Sequence, residues 1–385
     1  MYMRTNRFPD KHAAKAPRSP RITYAERALL SLVNDGLAKF PTEGTALVAG
    51  NRSGWLTLEL IKKTNLFLTA HAFDIHHAKA IANRLVDEGE RKGKVDGIVK
   101  CTPYVGGPYN VAFFMTTPRS MPAELVLDQL QDIHQSLADG GSLFAAFEGD
   151  LDAALKTMKL VWPTVHVVKR GKRAILFRAV KYSAPVKTRS FASDWTAAVP
   201  GHAPLTFTSL PGCFCHRRPD DGGVSLAEVA ALECANVPAD TTDYRILDMG
   251  CGCGLVGLLV TDAFRHDGHP DTRLTLIDSQ ARAIEAARIN AQRAGIDAEF
   301  ILSDDGLPRG RVGEFDLFVG NPPYYSEYRI AEVFLETAYR ALKPGGICLT
   351  VVKTASGLKA LQEKYFRTAE IIQRRGYCVL RSIRL

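Results

Sequence analysis

The chain repeats the same order of predicted elements in its two halves. A strand, a glycine turn and a helix are predicted over TALVAGNRSG (45–54) and the residues after it, and again over YRILDMGCGCGLVGLLV (244–260). Each half continues with a strand and a helix, a buried strand, and a helix that we expect to end at a glycine pair. Gly50 lies 90 residues before Gly140, and Gly250 lies 95 residues before Gly345. The repeat predicts a tandem duplication that forms two doubly wound, Rossmann-like α/β domains.

The length of the chain agrees with two domains, because 385 residues exceed the size of one ordinary domain. Residues 182–204 are rich in Ser, Ala, Pro and Thr and show little periodicity, which is typical of a linker. We therefore expect four parts: a flexible basic arm over residues 1–20, a first domain over 21–185, a linker over 186–205 and a second domain over 206–385.

Composition predicts a globular protein of the cytoplasm. The chain is 46% hydrophobic and 23% charged. No apolar run approaches the roughly 18 residues of a membrane span, and the N-terminal residues lack the apolar core of a secretory signal. Cys213 with Cys215, and Cys251 with Cys253, have C-x-C spacing rather than the C-x2-C spacing of zinc sites. We expect a monomer with reduced, buried thiols and with no metal or membrane partner.

The positive charge of the chain is concentrated in its first half. Residues 1–200 hold 28 Lys+Arg against 18 Asp+Glu, a net charge of +10, while residues 201–385 hold 21 against 23, a net charge of −2. Such clustering indicates a partner with a phosphate backbone, although a solvated tail and a charged hairpin would give the same pattern. The clustered cations are Arg4, Arg7, Lys11, Lys15, Arg18, Arg21 and Arg27, and a second group of Lys169, Arg170, Lys172 and Arg173.

A predicted buried strand, FDLFV (315–319), leads into Asn321, Pro322, Pro323 and Tyr324 at the carboxyl edge of the second sheet, where open α/β sheets bind ligands. The two prolines fix φ and remove two backbone donors, so the Asn321 side-chain oxygen and the Pro322 carbonyl can act as rigid acceptors. Two acceptors can take both hydrogens of a planar NH2 group, which frees its lone pair for an electrophile while Tyr324 stacks on its plane. A Pro-rich turn after a strand is the simpler alternative.

The second copy also keeps residues suited to a nucleotide-like ligand. Glycines surround its first strand-to-helix turn, where the backbone can approach a ligand closely and the turn amides can receive its polar end. One acid precedes this turn, and another ends the next strand, where it can accept hydrogen bonds from ribose hydroxyls. These five residues are Asp248, Gly250, Gly252, Gly254 and Asp278.

The first copy has different residues at the corresponding positions. Val48 replaces Asp248, Arg52 replaces Gly252, and Met115 stands at about the position of Asn321. We interpret the first copy as a degenerate domain that kept the outline of the fold and lost the site. We expect it to act as a binding platform for RNA.

The glycine turn, the second acid and Asn-Pro-Pro-Tyr together closely resemble the S-adenosylmethionine-dependent amino-group methyltransferases. The resemblance implies S-adenosyl-L-methionine as the cofactor, with the glycine turn on its methionine part and Asp278 on its ribose. Asp304, which follows the strand in EFILSDD, would meet the adenine. Asn321 and the three residues after it would hold the acceptor amine.

A narrower resemblance covers nearly the whole chain. A degenerate methyltransferase domain followed by an intact one is similar to the bacterial ribosomal RNA guanine-N2 methyltransferases of the small subunit methyltransferase C and large subunit methyltransferase G types. It implies methylation of a guanine N2 amine in ribosomal RNA, either free or in an assembly particle. In that family Pro-Gly-x-Phe and a later Asp-x-Gly precede the core, and residues 210–228 supply Pro211, Gly212, Phe214, Asp221 and Gly223. The basic Arg217 and Arg218 lie between them, and we expect these two to bind RNA together with Lys169, Arg170, Lys172 and Arg173.

Other interpretations remain open. This chain has Tyr324 and Tyr325 where those enzymes usually have Phe-His. Enzymes that methylate a glutamine side-chain amide, as in release-factor modification, also use Asn-Pro-Pro-Tyr. Adenine-N6 methylation of nucleic acid and a non-catalytic RNA-binding role are further alternatives. We interpret His76 and His77 as helix-surface residues, because neighbouring histidines on a helix do not converge on one metal.

Overall fold

The computed structural model describes residues 22–88, 98–116, 121–182, 188–238, 240–323 and 328–385. For residue 151 it describes the backbone but not the side chain. The predicted basic arm over residues 1–20 lies outside these residues, as does Tyr324. Within the described part of the chain, no helix has the length and apolar character needed to cross a bilayer.

The first domain is a seven-stranded sheet with the strand order β3-β2-β1-β4-β5-β7-β6. Strands β1 to β5 are parallel where they pair, and β7 is antiparallel to both of its neighbours. Its elements are α1 (Tyr24–Asp35), β1 (Glu43–Ala49), α2 (Trp55–Lys63), β2 (Asn65–Ala72), α3 (Ile75–Glu88), β3 (Val99–Cys101), β4 (Tyr109–Thr116), α4 (Ala123–Ser136), β5 (Leu137–Glu148), α5 (Leu151–Lys159), β6 (Val165–Arg170) and β7 (Ala174–Val180).

The second domain has a sheet of the same order, β12-β11-β10-β13-β14-β16-β15. This identity of topology confirms the predicted pair of doubly wound α/β domains. Its elements are α6 (Asp221–Leu232), β10 (Arg245–Met249), α7 (Leu255–His266), β11 (Arg273–Asp278), α8 (Ala281–Arg293), β12 (Ala298–Leu302), β13 (Phe315–Gly320), α9 (Arg329–Ala341), β14 (Leu342–Val352), α10 (Ser356–Phe366), β15 (Glu370–Arg374) and β16 (Tyr377–Ile383).

Strand register fixes which residues correspond in the two copies. Val48 on β1 lies opposite Phe113 on β4, and Asp248 on β10 lies opposite Val319 on β13. Two residues beyond Phe113 and Val319 are Met115 and Asn321, so these two occupy the same place in the fold. The predicted correspondence between them is therefore confirmed.

The segment predicted as a linker, 186–205, contains ordered structure. Strand β8 (Ser193–Ala197) pairs antiparallel with β9 (Leu205–Ser209) in a small separate sheet. Trp195 stacks on Phe207 with ring centroids 4.9 Å apart, and the Asn290 side chain of α8 bonds both backbone groups of Thr208 at 2.7 and 2.9 Å. The hairpin is therefore anchored to the second domain. Its few, alternating apolar residues explain why composition alone suggested a linker.

The glycine pairs lie inside strands, not at helix ends as we expected. Helix α4 ends at Ser136 and α9 at Ala341, and each following strand begins with the next residue. A Cβ on Gly141 would lie 2.7 Å from the Ala138 carbonyl oxygen, and one on Gly346 would lie 2.9 Å from that of Lys343. Both strands shift register beside these pairs, so the glycines permit a bulge.

The two domains meet through a local twofold junction. The turn after β2 and the equivalent turn after β11 run antiparallel and form a bridge between Asp74 and Gln280. The Ile75 amide donates to the Ser279 carbonyl at 2.9 Å, and the Ala281 amide donates to the Phe73 carbonyl at 2.7 Å. Each turn thus supplies a hydrogen-bond partner for a backbone amide of the other turn.

Arg282, in the first turn of α8, inserts into the first domain. Its side chain is 1% exposed and forms an ion pair with Asp128 at 2.5 Å. The same guanidinium donates to the carbonyls of Pro103 and Pro211 at 3.1 and 3.2 Å and lies 4.3 Å from the ring centre of Phe73. A buried charge with this many partners makes the junction specific.

We expect Arg282→Ala to lower the free energy of unfolding by about 2–4 kcal/mol, because it leaves Asp128 and two carbonyls without their buried partner. Chemical denaturation of the full chain measures this change. Arg288→Ala is the matched control, since Arg288 lies on the same helix but is exposed. Equal stability of the two variants would contradict the proposed role of Arg282.

Candidate active site

The glycine turn after β10 lies at the carboxyl edge of the second sheet. Gly250, Gly252 and Gly254 all have φ between 56° and 85°, the left-handed region that glycine adopts without strain. A Cβ on Gly250 would lie 2.8 Å from the ring of Phe334, whereas one on Gly252 would meet no atom within 4 Å. Gly250 is therefore required by packing. Gly252 borders open space, so a ligand can approach its backbone.

Two acids, the buried Asp248 and the half-buried Asp278, hold this turn in place. Asp248 is 2% exposed and accepts a hydrogen bond from the Gly257 amide at 2.8 Å, and burial raises its pKa to about 7. Asp278 accepts from the amides of Gly252 and Gln280 at 2.9 and 2.8 Å, and burial raises its pKa as well. Asp248 thus ties β10 to α7, while Asp278 ties β11 to the turn. Each Asp278 oxygen keeps a lone pair for a hydroxyl donor.

Asn321 follows β13 at the same edge, and its side chain has a defined orientation. Its Nδ2 donates to Asp220 Oδ2 at 2.8 Å, which leaves the carbonyl oxygen on the other arm of the amide as an acceptor. Asp220 is the N-cap of α6, where the same Oδ2 accepts from the Gly223 amide at 2.7 Å. Pro322 and Pro323 come next in the chain. The carboxylate of Asp220 therefore fixes the Asn321 amide from a neighbouring helix.

Asp220 is a residue that the sequence interpretation missed. The family pattern selected Asp221, which is exposed at the first position of α6. The signal for Asp220 was local, because an Asp directly before a helix and three residues before Gly223 is typical of an N-cap. Adjacent acids cannot be ranked without the position at which the helix begins.

A basic rim surrounds the Asn321 edge. Gly320 pairs with Thr350, so the next residues of each strand bring Pro323 and Lys353 to the same edge. The Lys353 ammonium lies 4.1 Å from the ring centre of Tyr377. In the turn between β15 and β16, Arg374 and Arg375 both pair with the buried carboxylate of Glu228. Two guanidiniums on one carboxylate leave a positive surplus at this edge.

Asp304 lies at the domain junction. Its Oδ1 is 2.5 Å from Lys79 Nζ, and its Oδ2 is 3.2 Å from His76 Nδ1, both on α3 of the first domain. Lys79 also approaches Asp305 at 3.5 Å. His76 is exposed on α3, as expected of a helix-surface residue, and in addition it contacts an acid 228 residues away in sequence.

The six cations predicted to bind RNA lie in two places. Lys169, Arg170, Lys172 and Arg173 surround the turn between β6 and β7, which is the counterpart of the turn between β15 and β16. Arg173 lies 4.6 Å from the ring centre of Tyr24, and Arg170 is 3.8 Å from Asp152. Arg217 forms a bidentate pair with Glu124 of the first domain at 2.8 and 2.9 Å, and Arg218 is its neighbour. The charge of Arg217 is thus partly used at the junction.

The cysteines are free thiols, and those of the glycine turn are buried. Burial raises the pKa of Cys251 well above its ordinary value and that of Cys253 to about 12, so both thiols are protonated at neutral pH. Among the described residues, no group of three or more His, Cys, Asp or Glu side chains converges as a metal site would require.

The known proteins to which this chain is similar are methyltransferases. The model of the methyltransferase small domain family matches residues 204–381. The ribosomal RNA small subunit methyltransferase C of Pseudomonas paraeruginosa is 31% identical over 216 residues, which cover 54% of this chain and 60% of that protein. The ribosomal RNA large subunit methyltransferase G of Shewanella amazonensis is 28% identical over 393 residues, which cover 98% and 95%.

One solved structure matches both domains. A 16S rRNA N2 methyltransferase of T. thermophilus, in complex with AdoMet and guanosine, covers 93% of this chain and 92% of its own, with a TM-score of 0.71 and 20% identity. Because the match covers both domains, the two proteins share the tandem arrangement of two α/β domains. The chain spans only 40% to 60% of the length of several methyltransferase C relatives, but nearly all of methyltransferase G.

The turn, the two acids and the Asn-Pro-Pro edge lie within the segment that the family model matches, and both kinds of relative are ribosomal RNA methyltransferases. The second domain therefore matches the methyltransferase small domain family, and the chain is similar to the ribosomal RNA methyltransferases C and G.

Proposed function

We propose that this chain transfers a methyl group from S-adenosylmethionine to the exocyclic N2 amine of a guanine in ribosomal RNA. The observation that carries the proposal is the Asn321 amide, held by Asp220 at 2.8 Å beside a glycine turn that borders open space. This arrangement supports the proposal, because Asn321 would then be a fixed acceptor for an amine next to a site for a nucleotide-like cofactor.

The cofactor would lie along the carboxyl edge of β10, β11 and β12. The glycine turn over residues 250–254 would receive its methionine part, Asp278 its ribose hydroxyls and Asp304 the amino group of its adenine. The open space at Gly252 and the spare lone pairs of Asp278 fit such a ligand. When bound, the cofactor supplies a methyl group on a sulfonium, which is already activated for displacement.

The chain acts mainly by aligning the acceptor. The Asn321 side-chain oxygen and the Pro322 carbonyl oxygen would each accept a hydrogen bond from the amine. These two bonds orient the nitrogen lone pair toward the methyl carbon. Tyr324 would stack on the base that carries the amine, which remains a prediction. Alignment for in-line displacement can supply most of the rate gain. The proton that the nitrogen must lose after it gains the methyl group passes to water, so the proposal requires no additional acid or base.

Ribosomal RNA is the substrate class that the surface charge supports. The first half of the chain carries the whole positive surplus, and Lys353, Arg374 and Arg375 add a basic rim at the acceptor edge. Both relatives are named as methyltransferases of ribosomal RNA. A flipped guanine needs its flanking backbone held, and clustered cations provide that. A cytoplasmic, monomeric enzyme remains our prediction.

The first prediction concerns the product. Incubation with labelled S-adenosylmethionine and ribosomal RNA from cells lacking this gene should yield N2-methylguanosine, identified by mass analysis of nucleosides. Asn321→Ala should lower turnover by about 100-fold or more with nearly unchanged cofactor affinity, because its oxygen acts where charge develops on the nitrogen. Asn236→Ala, at an exposed site, is the control. N6-methyladenosine or a methylated glutamine as the product would contradict the proposal.

The second prediction separates Asp220 from its neighbour. Asp220→Asn removes the charge that orients the Asn321 amide, so turnover should fall by about 10-fold while cofactor affinity stays unchanged. Asp221→Asn, one residue further and exposed, should keep wild-type turnover. Single-turnover kinetics and calorimetry measure the two quantities. If both variants lose turnover equally, the assignment of Asp220 is wrong.

The third prediction tests the RNA platform. Replacement of Lys169, Arg170, Lys172 and Arg173 by Gln should weaken RNA binding and reduce the slope of log K against log salt by about 0.7–0.9 for each phosphate that the protein no longer neutralises. Lys156→Gln with Lys159→Gln, on the exposed face of α5, is the matched control. Fluorescence anisotropy over a range of salt concentrations measures the slope. An unchanged slope for the fourfold variant would exclude these cations from the RNA interface.

A further inference from the structure

The junction follows a local twofold that relates each residue on one side to an equivalent on the other. Ala70 lies opposite Val48, and Leu276 lies opposite Asp248. Since Val48 and Asp248 correspond, counting along the strands makes Ala72 the equivalent of Asp278 and His76 the equivalent of Arg282. The backbone bonds across the junction obey the same relation.

The first domain has a cavity of about 140 Å³ where its lost cofactor site would be. Its walls include the first glycine turn at residues 50–52 and the end of β2 at residues 72–74. Gln280 and Arg282 of the second domain also line it. The second domain therefore contributes side chains to this edge of the first domain.

Applied to the second domain, the twofold places Asp74 and His76 at the cofactor edge. Contacts of the side chains agree with this placement. His76 reaches Asp304, and Asp74 accepts a hydrogen bond from the Ser279 hydroxyl, directly after Asp278, at 3.1 Å. Burial and then the charge of Asp74 raise the pKa of Asp278. The first domain thus contacts Asp304 directly and, next to Asp278, the side chain of Ser279.

Lys79 has the strongest of these contacts. It lies one turn beyond His76 on α3, 2.5 Å from Asp304 and 3.5 Å from Asp305. Its hydrogen bond to Asp304 raises its pKa, so it stays charged at neutral pH. Asp74, Asp278, Asp304 and Asp305 lie at this edge, and Lys79 offsets the negative charge of Asp304 and Asp305. It also limits the rotamers of Asp304, whose oxygens each keep a lone pair for another donor.

We propose that the degenerate domain forms one wall of the cofactor site, with Lys79 as a positioning residue that holds Asp304 toward the 6-amino group of the adenine. The inference rests on the proposed function, since it assumes that an adenosine-containing cofactor binds at Asp278 and Asp304. It assigns the first domain a part in cofactor recognition in addition to RNA binding.

Calorimetry on the full chain tests this with S-adenosylhomocysteine and S-inosylhomocysteine, which has an oxygen in place of the 6-amino group. Wild type should prefer the adenine compound. Lys79→Met should weaken its binding by about 5-fold and reduce the preference by a similar factor, the scale of one charge-assisted hydrogen bond held less well. Lys79→Arg should restore most of the preference. Lys62→Met, on the exposed end of α2, is the control.

A double-mutant cycle separates action through Asp304 from a general effect on folding. Asp304→Asn should itself remove most of the preference, and adding Lys79→Met to it should change little. If Lys79→Met binds both compounds as wild type does, the inference is overturned while the proposed function stands. Failure of the wild type to bind S-adenosylhomocysteine would overturn both.

Discussion

Two backbone hydrogen bonds between equivalent turns join the two domains of this molecule. The turn after β2 and the turn after β11 pair antiparallel, with the amides of Ile75 and Ala281 donating across the junction. The second of these turns begins directly after Asp278. Because the bonds are made by the backbone, they depend on the fold of each turn and not on its side chains. The junction therefore requires the first domain to keep the fold of this turn, whatever side chains its glycine turn carries.

The side chains around this junction show how the copies diverged. At equivalent positions, Arg282 enters the first domain as a buried ion pair, whereas His76 contacts Asp304 at the edge of the second. Meanwhile Val48 and Met115 stand where the second copy has Asp248 and Asn321. The second domain thus carries the proposed site residues, and the first domain contacts one of them, Asp304.

Patterns that repeat in sequence predicted much of the fold. The duplicated order of strand, glycine turn and helix gave two sheets of the same topology, and the correspondence of Met115 with Asn321 followed from counting residues along them. Contacts between segments that are distant in the sequence could not be predicted from it. Lys79 and His76 meet Asp304 only because the turns dock, and Asp220 meets Asn321 from 101 residues away. The glycine pairs were misplaced because a bulge and a helix end both favour glycine.

Hydrogen exchange of the full chain, with and without S-adenosylmethionine, tests most directly whether the degenerate domain is part of the cofactor site. The cofactor should slow exchange at residues 250–254 and 278–281 of the second domain, and also at residues 73–80 of the first. Residues 50–54, in the degenerate glycine turn, should exchange at an unchanged rate. Protection confined to the second domain, or protection of residues 50–54, would contradict the account.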